Sequence, residues 1–346
     1  MKLDPLTQRQ FKRFREIKRG WYSAVVLVLL ILSTGFTELL VNNRAIVVNY
    51  QGSWHFPTYA DFKPGTTFGL DYAYETNYRE LARHLEDTQQ GWVWLPPVPF
   101  SPYEINTYPD QFAPHPPNAE QGHYLGTDTA GRDVLARLVY GFRIAIWFSL
   151  ILLVTTFAVG ISVGCAMGYF GGSFDLFFQR VIEVWSNVPF LYVIMIIASI
   201  ITPSFSLLIL LMVLFGWMGM TWYMRTATYK EAARDYVMAS RSLGATHSRL
   251  IFRHILPNTL SLIITFVPFS ITGGITSLTS LDYLGFGLPP PTPSWGELLK
   301  QGTDNLDALW IVSSVVGALV ILLVMVTFIG EAIREAFDPK QHTIYE

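Results

Sequence analysis

Long apolar runs, almost free of charge, decide what this chain can fold into. Six stretches reach or approach the roughly 20 residues that a helix needs to cross about 30 Å of hydrocarbon. They are Trp21–Leu40, Ala145–Phe170, Val184–Ile201, Phe205–Trp222, Thr259–Leu281 and Trp310–Ile329, and Glu38 is the one charged residue in any of them. Inside lipid every backbone N–H and C=O needs a partner within the protein, so such runs are expected as helices. Only Thr202-Pro203-Ser204 separates the third run from the fourth, which predicts a tight helical hairpin. Charged residues make up 14% of the chain, against about 25% in soluble domains. A net charge of −2 offers nothing to a nucleic acid, and the single cysteine, Cys165, excludes a disulfide framework and a thiolate metal site.

The first run is longer than the core of a signal peptide, and no small-residue cleavage site follows it, so it is expected to stay as an anchor. Lysine and arginine set the orientation. Seven of them lie in residues 1–20 (Lys2, Arg9, Lys12, Arg13, Arg15, Lys18, Arg19), which places this end in the cytoplasm. Acidic residues dominate 42–141 and the loop Asp282–Leu309, which fits the outside face. Arg225, Lys230, Arg234, Arg241, Arg249 and Arg253 mark the segment between the fourth and fifth runs as cytoplasmic. Six crossings with both termini inside satisfy these constraints. The resulting division is a basic terminus at 1–20, a first span at 21–40, a periplasmic segment at 41–141, a membrane core at 142–334 and a cytoplasmic tail at 335–346. The periplasmic segment is dense in Trp, Tyr, Phe and Pro and is expected to hold few regular elements. Its aromatics read as an interfacial belt or as a docking surface for an external partner, and a mixture of packing and contact is expected.

The polar segment Asp235–Asn258, inside a loop spanning 224–258, carries the most information about function. A helical stretch over Thr228–Leu243 is interrupted by Gly244. Thr246 can cap a second helix with Leu250, Ile251 and Ile255 on its apolar side, and Pro257 is expected to turn the chain before the fifth span. Helix, glycine bend and helix make an elbow. By composition alone it fits a groove on a soluble protein and an anionic lipid surface equally well.

This loop resembles the cytoplasmic signature of binding-protein-dependent ABC import permeases: Glu-Ala-Ala, three residues, Gly, nine residues, then Ile-x-Leu-Pro. The pattern aligns as Met238-Ala239-Ser240, Gly244 and His254-Ile255-Leu256-Pro257, while the literal Glu231-Ala232-Ala233 has the wrong spacing to Gly244. The signature Glu is replaced by Met238, which puts any role of that carboxylate in doubt. Leu125-Gly126-Thr127-Asp128, Gly131-Arg132-Asp133, Gly168-Tyr169-Phe170-Gly171-Gly172 and Leu281–Pro289 are similar to motifs of the C-type permeases of oligopeptide and dipeptide importers. Together the matches cover about residues 121–338. Asn49–Pro57 and Arg13-Phe14-Arg15 resemble the subgroup that serves microcin C and peptide import.

The resemblance implies an all-α membrane protein with six transmembrane helices: a type I ABC importer permease (MetI-like) core, a cytoplasmic coupling loop and a small extracytoplasmic segment after the first helix. It implies that Met238, Ala239, Ser240, Arg241, Gly244, Ala245, Thr246, Arg249 and Pro257 form the ATPase-coupling loop. The implied partners are a second permease subunit in a heterodimer, two ATPase subunits or one fused ATPase, a periplasmic peptide-binding protein and membrane lipid, with no nucleic acid. No Gly-x-x-x-x-Gly-Lys-Ser/Thr loop occurs. The chain is therefore expected to be no enzyme and to hold no cofactor, with ATP and magnesium bound by partners. The His residues lack metal-ligand spacing. In the fifth run Ser261, Thr265, Thr272, Thr276 and Thr279 share one face at about 100° per residue. They are a candidate translocation path, or hydroxyls serving helix packing. An ion-coupled secondary transporter and a membrane-anchored structural subunit remain the rival classes. The former usually buries acidic residues at mid-membrane, and the runs here are nearly free of charge.

Overall fold

The computed structural model describes residues 5–108 and 112–337 of the chain. Lys2 and most of the expected cytoplasmic tail, 338–346, lie outside the described residues.

A short helix, α1 (Pro5–Glu16), precedes the first span. That span, Lys18–Leu40, comprises α2 (Lys18–Ser33), a 3-10 turn and α3 (Thr37–Leu40). Hydroxyls of Ser33, Thr34 and Thr37 donate back to carbonyls three residues earlier, and such back-bonding favours a local tightening of the helix.

The external segment is more regular than expected, and it corrects the all-α assignment. Strands β1 (Val47–Tyr50), β2 (Ser53–His55) and β3 (Gly91–Trp94) form an antiparallel sheet in the order β2-β1-β3. Helix α4 (Tyr78–Thr88) starts at Asn77, whose side chain accepts from the Arg79 and Glu80 amides. Tyr78, Leu81 and Leu85 pack with Phe68 and Val48 into a small core. Trp54, Trp92 and Trp94 stay exposed on the sheet. Val41 bridges Val98, so the sheet hangs directly from the end of the first span.

Helix α5 (Val134–Phe170) is the central mast. Asp133 caps it by accepting from the Ala136 amide at 2.7 Å. The helix begins before the 141/142 boundary read from the sequence, which therefore falls inside it. Gly160, Gly164 and Gly168 form a four-residue repeat facing α8 (Phe205–Ala232). A methyl group at Gly164 would stand 2.6 Å from the Thr221 carbonyl oxygen, and one at Gly168 would stand 2.4 Å from that of Arg225. Without a hydrophobic drive between helices in lipid, close backbone approach of this kind is what holds them together.

The third run is not one straight helix. Helices α6 (Gly172–Ser186) and α7 (Phe190–Ile200) are bent by 65° across residues 187–189. Pro189 has no amide hydrogen, and its ring drives Val188 away from helical backbone angles. Five helices therefore pass as spans by length and composition, or six with the bent pair, among the described residues.

After α8 the elbow comprises α9 (Asp235–Ser242), α10 (His247–Arg249) and a π-turn over Leu250–Ile255. The first arm is thus shorter than Thr228–Leu243, because the chain breaks at Ala233-Arg234. The π-turn leads straight into α11 (Leu256–Leu284), and His247–Leu284 forms one continuous span. Pro257 consequently does not turn the chain. It occupies the first turn of α11, where a missing amide hydrogen is tolerated, and the wider turn before it relieves its clash with the preceding carbonyls. The external α12 (Trp295–Asp304) and the last span, α13 (Leu309–Phe337), complete the fold. The core gathers Phe148, Leu208, Ile275, Leu278, Ile311 and Val315 from four spans. The outward faces are just as apolar, with Val154, Ile200, Leu210 and Ile321 exposed, as a lipid-facing surface requires.

Candidate functional site

The elbow is built by a helix ending and a helix start in immediate succession. Gly244 has φ +81°. Its amide donates to the Arg241 carbonyl at 3.0 Å, and the Ala245 amide donates to that of Ser240 at 3.1 Å. These two bonds are the Schellman ending, which needs a residue in the left-handed region at this position. Thr246 then caps α10, its hydroxyl accepting from the Arg249 amide at 3.4 Å. Val237, Leu250 and Ile255 are fully buried beneath the bend against Tyr169, Ala232 and Ala245. The elbow is thereby wedged onto the ends of α5 and α8. Tyr169 and His247 are joined at 2.7 Å between Oη and Nδ1. Tyr236 donates to Glu231 at 2.7 Å, and burial with that carboxylate beside it pushes the phenol up to about 12.

The opposite side of the elbow is free. Leu243 is 89% exposed, and Met238 and Phe252 are exposed with it. Ala239, Arg241, Gly244, Thr246, Arg249 and Pro257 are exposed as well, while Ser240 and Ala245 are half-buried. The tip is apolar with a basic rim.

Behind the elbow lie two cavities. One, of about 340 Å³, is a partly open hollow between α5, α8 and α11, bordered by Thr156, Gly216, Phe266, Ser270, Gly273 and Ser277. The other, of about 500 Å³, opens beside Lys230, Glu231, Asn258 and Ser261. Tyr223 borders both, and its ring lies 4.2 Å from that of Phe266. Of the hydroxyl stripe, Ser261 alone borders either of these two cavities. Thr265, Thr272 and Thr279 donate to the carbonyls four residues earlier, at 2.7, 3.2 and 2.9 Å, and Thr276 is exposed. The hydroxyls that do border the cavity between α5, α8 and α11, Ser270 and Ser277, lie on the opposite side of the helix from the stripe.

Residues 160–343 match the model of a family described as "Binding-protein-dependent transport system inner membrane component". The chain belongs to this family. It is also 40% identical over 342 residues to the inner membrane ABC transporter permease protein YejE of Escherichia coli (strain K12), covering 98% of this chain and 99% of that one. The peptidoglycan transport system permease protein YejE of Agrobacterium fabrum is 37% identical over 97% of this chain and 94% of its own length. The oligopeptide transport system permease protein OppC of Lactococcus lactis subsp. cremoris is 36% identical over 64% of this chain and 77% of its own. The protein is thus a multi-pass inner-membrane permease of the ABC peptide-transport type, and these relatives are transport subunits rather than enzymes.

Local spacing did not reveal how this permease ties its far end together. Buried Asp128 accepts from Arg132 at 2.7 Å, and Arg132 reaches Glu297 on α12 at 2.9 Å. Arg137, fully buried on α5, pairs with the same Glu297 and lies 3.4 Å from Asp128. Thr129 donates to Gln301 at 2.8 Å. His123 and Asp133, both fully buried, meet at 2.7 Å. Asp282 accepts from Ser294 at 2.5 Å and from the Leu288 amide at 2.7 Å, closing the turn after α11. The motifs around Gly126–Asp133 and Leu281–Pro289 are therefore two halves of one clasp. The signal available beforehand was their charge: paired Asp and Arg residues in an otherwise apolar chain.

Proposed function

We propose that this chain forms half of the translocation path of an ATP-driven, binding-protein-dependent importer of peptides, and that ATPase motion enters through the elbow. One observation carries the mechanism: the second arm of the elbow and a membrane span that borders both cavities are a single helix, His247–Leu284. A partner that grips the tip at Leu243, Arg241 and Arg249 pulls on the same helix that carries Phe266, Ser270 and Gly273. The Schellman turn holds the tip at a fixed angle, and buried Val237, Leu250 and Ile255 fix it to α5 and α8. The expected partners are a second permease, two ATPase subunits or one fused ATPase, and a periplasmic peptide-binding protein. The elbow then faces the cytoplasm with both termini, and the core takes the type I permease arrangement. ATP and magnesium belong to the ATPases. Microcin C-like peptides are within the proposed substrate class.

Reconstitution of the four components in proteoliposomes tests this. Peptide uptake is expected to require ATP and the binding protein. Gly244→Pro is expected to abolish uptake while membrane insertion persists, because proline can neither adopt φ +81° nor supply the amide that bonds Arg241. Uptake that follows an ion gradient without ATP would overturn the reading. A second substrate reading rests on the Agrobacterium relative, named for peptidoglycan transport and similar along almost the whole chain. On that reading peptide-bearing wall fragments stimulate the ATPase more than linear peptides of equal length.

A further inference from the structure

The cytoplasm-directed ends of the first and last spans carry a second surface, which the transport reading leaves unused. Helix α1 does not continue the line of α2. At Ile17 the backbone leaves helical angles (ψ 84°), and the chain bends far enough that Phe11 and Phe14 both place their rings about 6 Å from Trp21. Phe14 packs on the membrane core, and α1 lies against α13. Farther along, Gly20 sits against Ala332, and Arg19 pairs with Glu331 at 3.3 Å. So α1 is folded across the start of the first span and the end of the last, at the end of the bundle opposite the sheet.

Its two sides differ. Phe14 points inward. Arg9, Lys12 and Arg15 recur every third residue on the other side and are exposed, with Glu16 the one carboxylate among them. Lys18 follows at once, in the first turn of α2, which contains no acidic residue and no side-chain cap. Cations at the positive end of a helix dipole are unfavourable unless an anion lies nearby. Arg9, Lys12 and Lys18 have no ion-pair partner among the described residues. Exposed Phe11 flanks the cations, and the Arg15 guanidinium lies 5.8 Å over the Trp21 ring. A folded-over helix with aromatic anchors and a cationic outer side is the pattern of an interfacial helix that binds anionic membranes. The charge of such a leaflet is complementary to this side, and Trp21, at the start of the first span, is of the residue type enriched at membrane–water interfaces.

We infer that α1, with Lys18, is a docking surface for anionic phospholipid headgroups of the leaflet it lies on, bound through the phosphates by Arg9, Lys12, Arg15 and Lys18. The surface pins the ends of the first and last spans to the bilayer surface.

Hydrogen exchange of residues 8–21 tests this in the full-length protein, in nanodiscs of phosphatidylcholine alone and in nanodiscs one third phosphatidylglycerol. Exchange is expected to be slower with phosphatidylglycerol. Native mass spectrometry is expected to show retained phosphatidylglycerol, weakened roughly tenfold or more in Arg9→Gln/Lys12→Gln/Arg15→Gln, since each cation near an anionic surface strengthens binding by a factor of several. Arg9→Lys/Arg15→Lys keeps the charge and is expected to keep both effects, which separates charge from packing of Arg15 on Trp21. Equal exchange in the two bilayers, or full lipid retention by the neutral variant, overturns the inference. So does protection that arises in phosphatidylcholine only when ATPase subunits are added, which would identify a protein as the occupant.

Discussion

Gly244 and Glu297 show how much single residues carry. A methyl group at Gly244 meets nothing within 4 Å, so the cost of substitution is conformational only. Forcing an L-residue into the left-handed region costs roughly 1–2 kcal/mol, and Asn tolerates it best. Gly244→Ala is expected to weaken peptide-stimulated ATPase activity of the assembled complex, with Gly244→Asn restoring most of it. Equal activity in both would show that the bend is not needed. Glu297 compensates two arginines, Arg132 and Arg137, the latter fully buried. Removing one partner from a buried ionic group leaves uncompensated charge and typically costs about 3–5 kcal/mol, so Glu297→Ala is expected to lower the melting temperature of the purified chain sharply. His115, buried beside the clasp, titrates in the opposite sense from a paired histidine. Burial, and then the neighbouring His123, hold its imidazole below the usual 6.5. The unfolded chain therefore binds the proton first, and the stability contributed by neutral His115 is complete above 6.5 and lost as the pH falls below it. Hydrogen exchange of 113–133 is expected to accelerate on mild acidification, and His115→Gln is expected to flatten that response.

At the scale of elements, what could be read in advance depended on whether the signal was local. Spans were legible because length and absence of charge suffice to make a helix in lipid. The elbow was legible because a glycine ending and a threonine cap are both local devices. The break at Pro189 has a local cause as well, but the apolar run continues through it and masks it. Strands of three or four residues are too short for alternation to emerge, so β1 to β3 were hidden among prolines and aromatics. On α11 periodicity defines a hydroxyl face, yet the neighbouring helices decide which face borders a cavity, and they selected Ser270 and Ser277. The α5–α8 contact makes a prediction at this scale. Gly164→Val places side-chain atoms where the α8 backbone lies and is expected to separate the pair, giving a protein that inserts but is digested rapidly by protease. Gly219→Val, at a position where a methyl group would meet nothing within 4 Å, is expected to leave protease resistance unchanged.

Across the whole molecule the two ends are fastened differently. Around Asp128 and Glu297 the partners are 165 residues or so apart in the chain, which is why no reading of neighbouring positions assembled the clasp. It joins the top of α5 to α12, and Trp310 at the start of α13 donates to the Thr127 carbonyl at 3.1 Å. At the elbow end the spans flank an open space next to Lys230 and Asn258, and Tyr223 with Phe266 is the aromatic contact at its upper limit. Tyr223→Ala is expected to raise ATP-independent leakage of a small fluorescent peptide through reconstituted complexes, with little change in binding-protein affinity. A tightly sealed variant would remove any barrier role for that ring pair. At the elbow rim α5 and α8 are seamed together at Gly164 and Gly168, and the gap lies between α8 and α11, so the bundle has the build of a pair of tongs: riveted at one rim, with one pair of limbs parted at the other. A modest push on the parted limbs is expected to open or close that gap and to leave the riveted rim where it is.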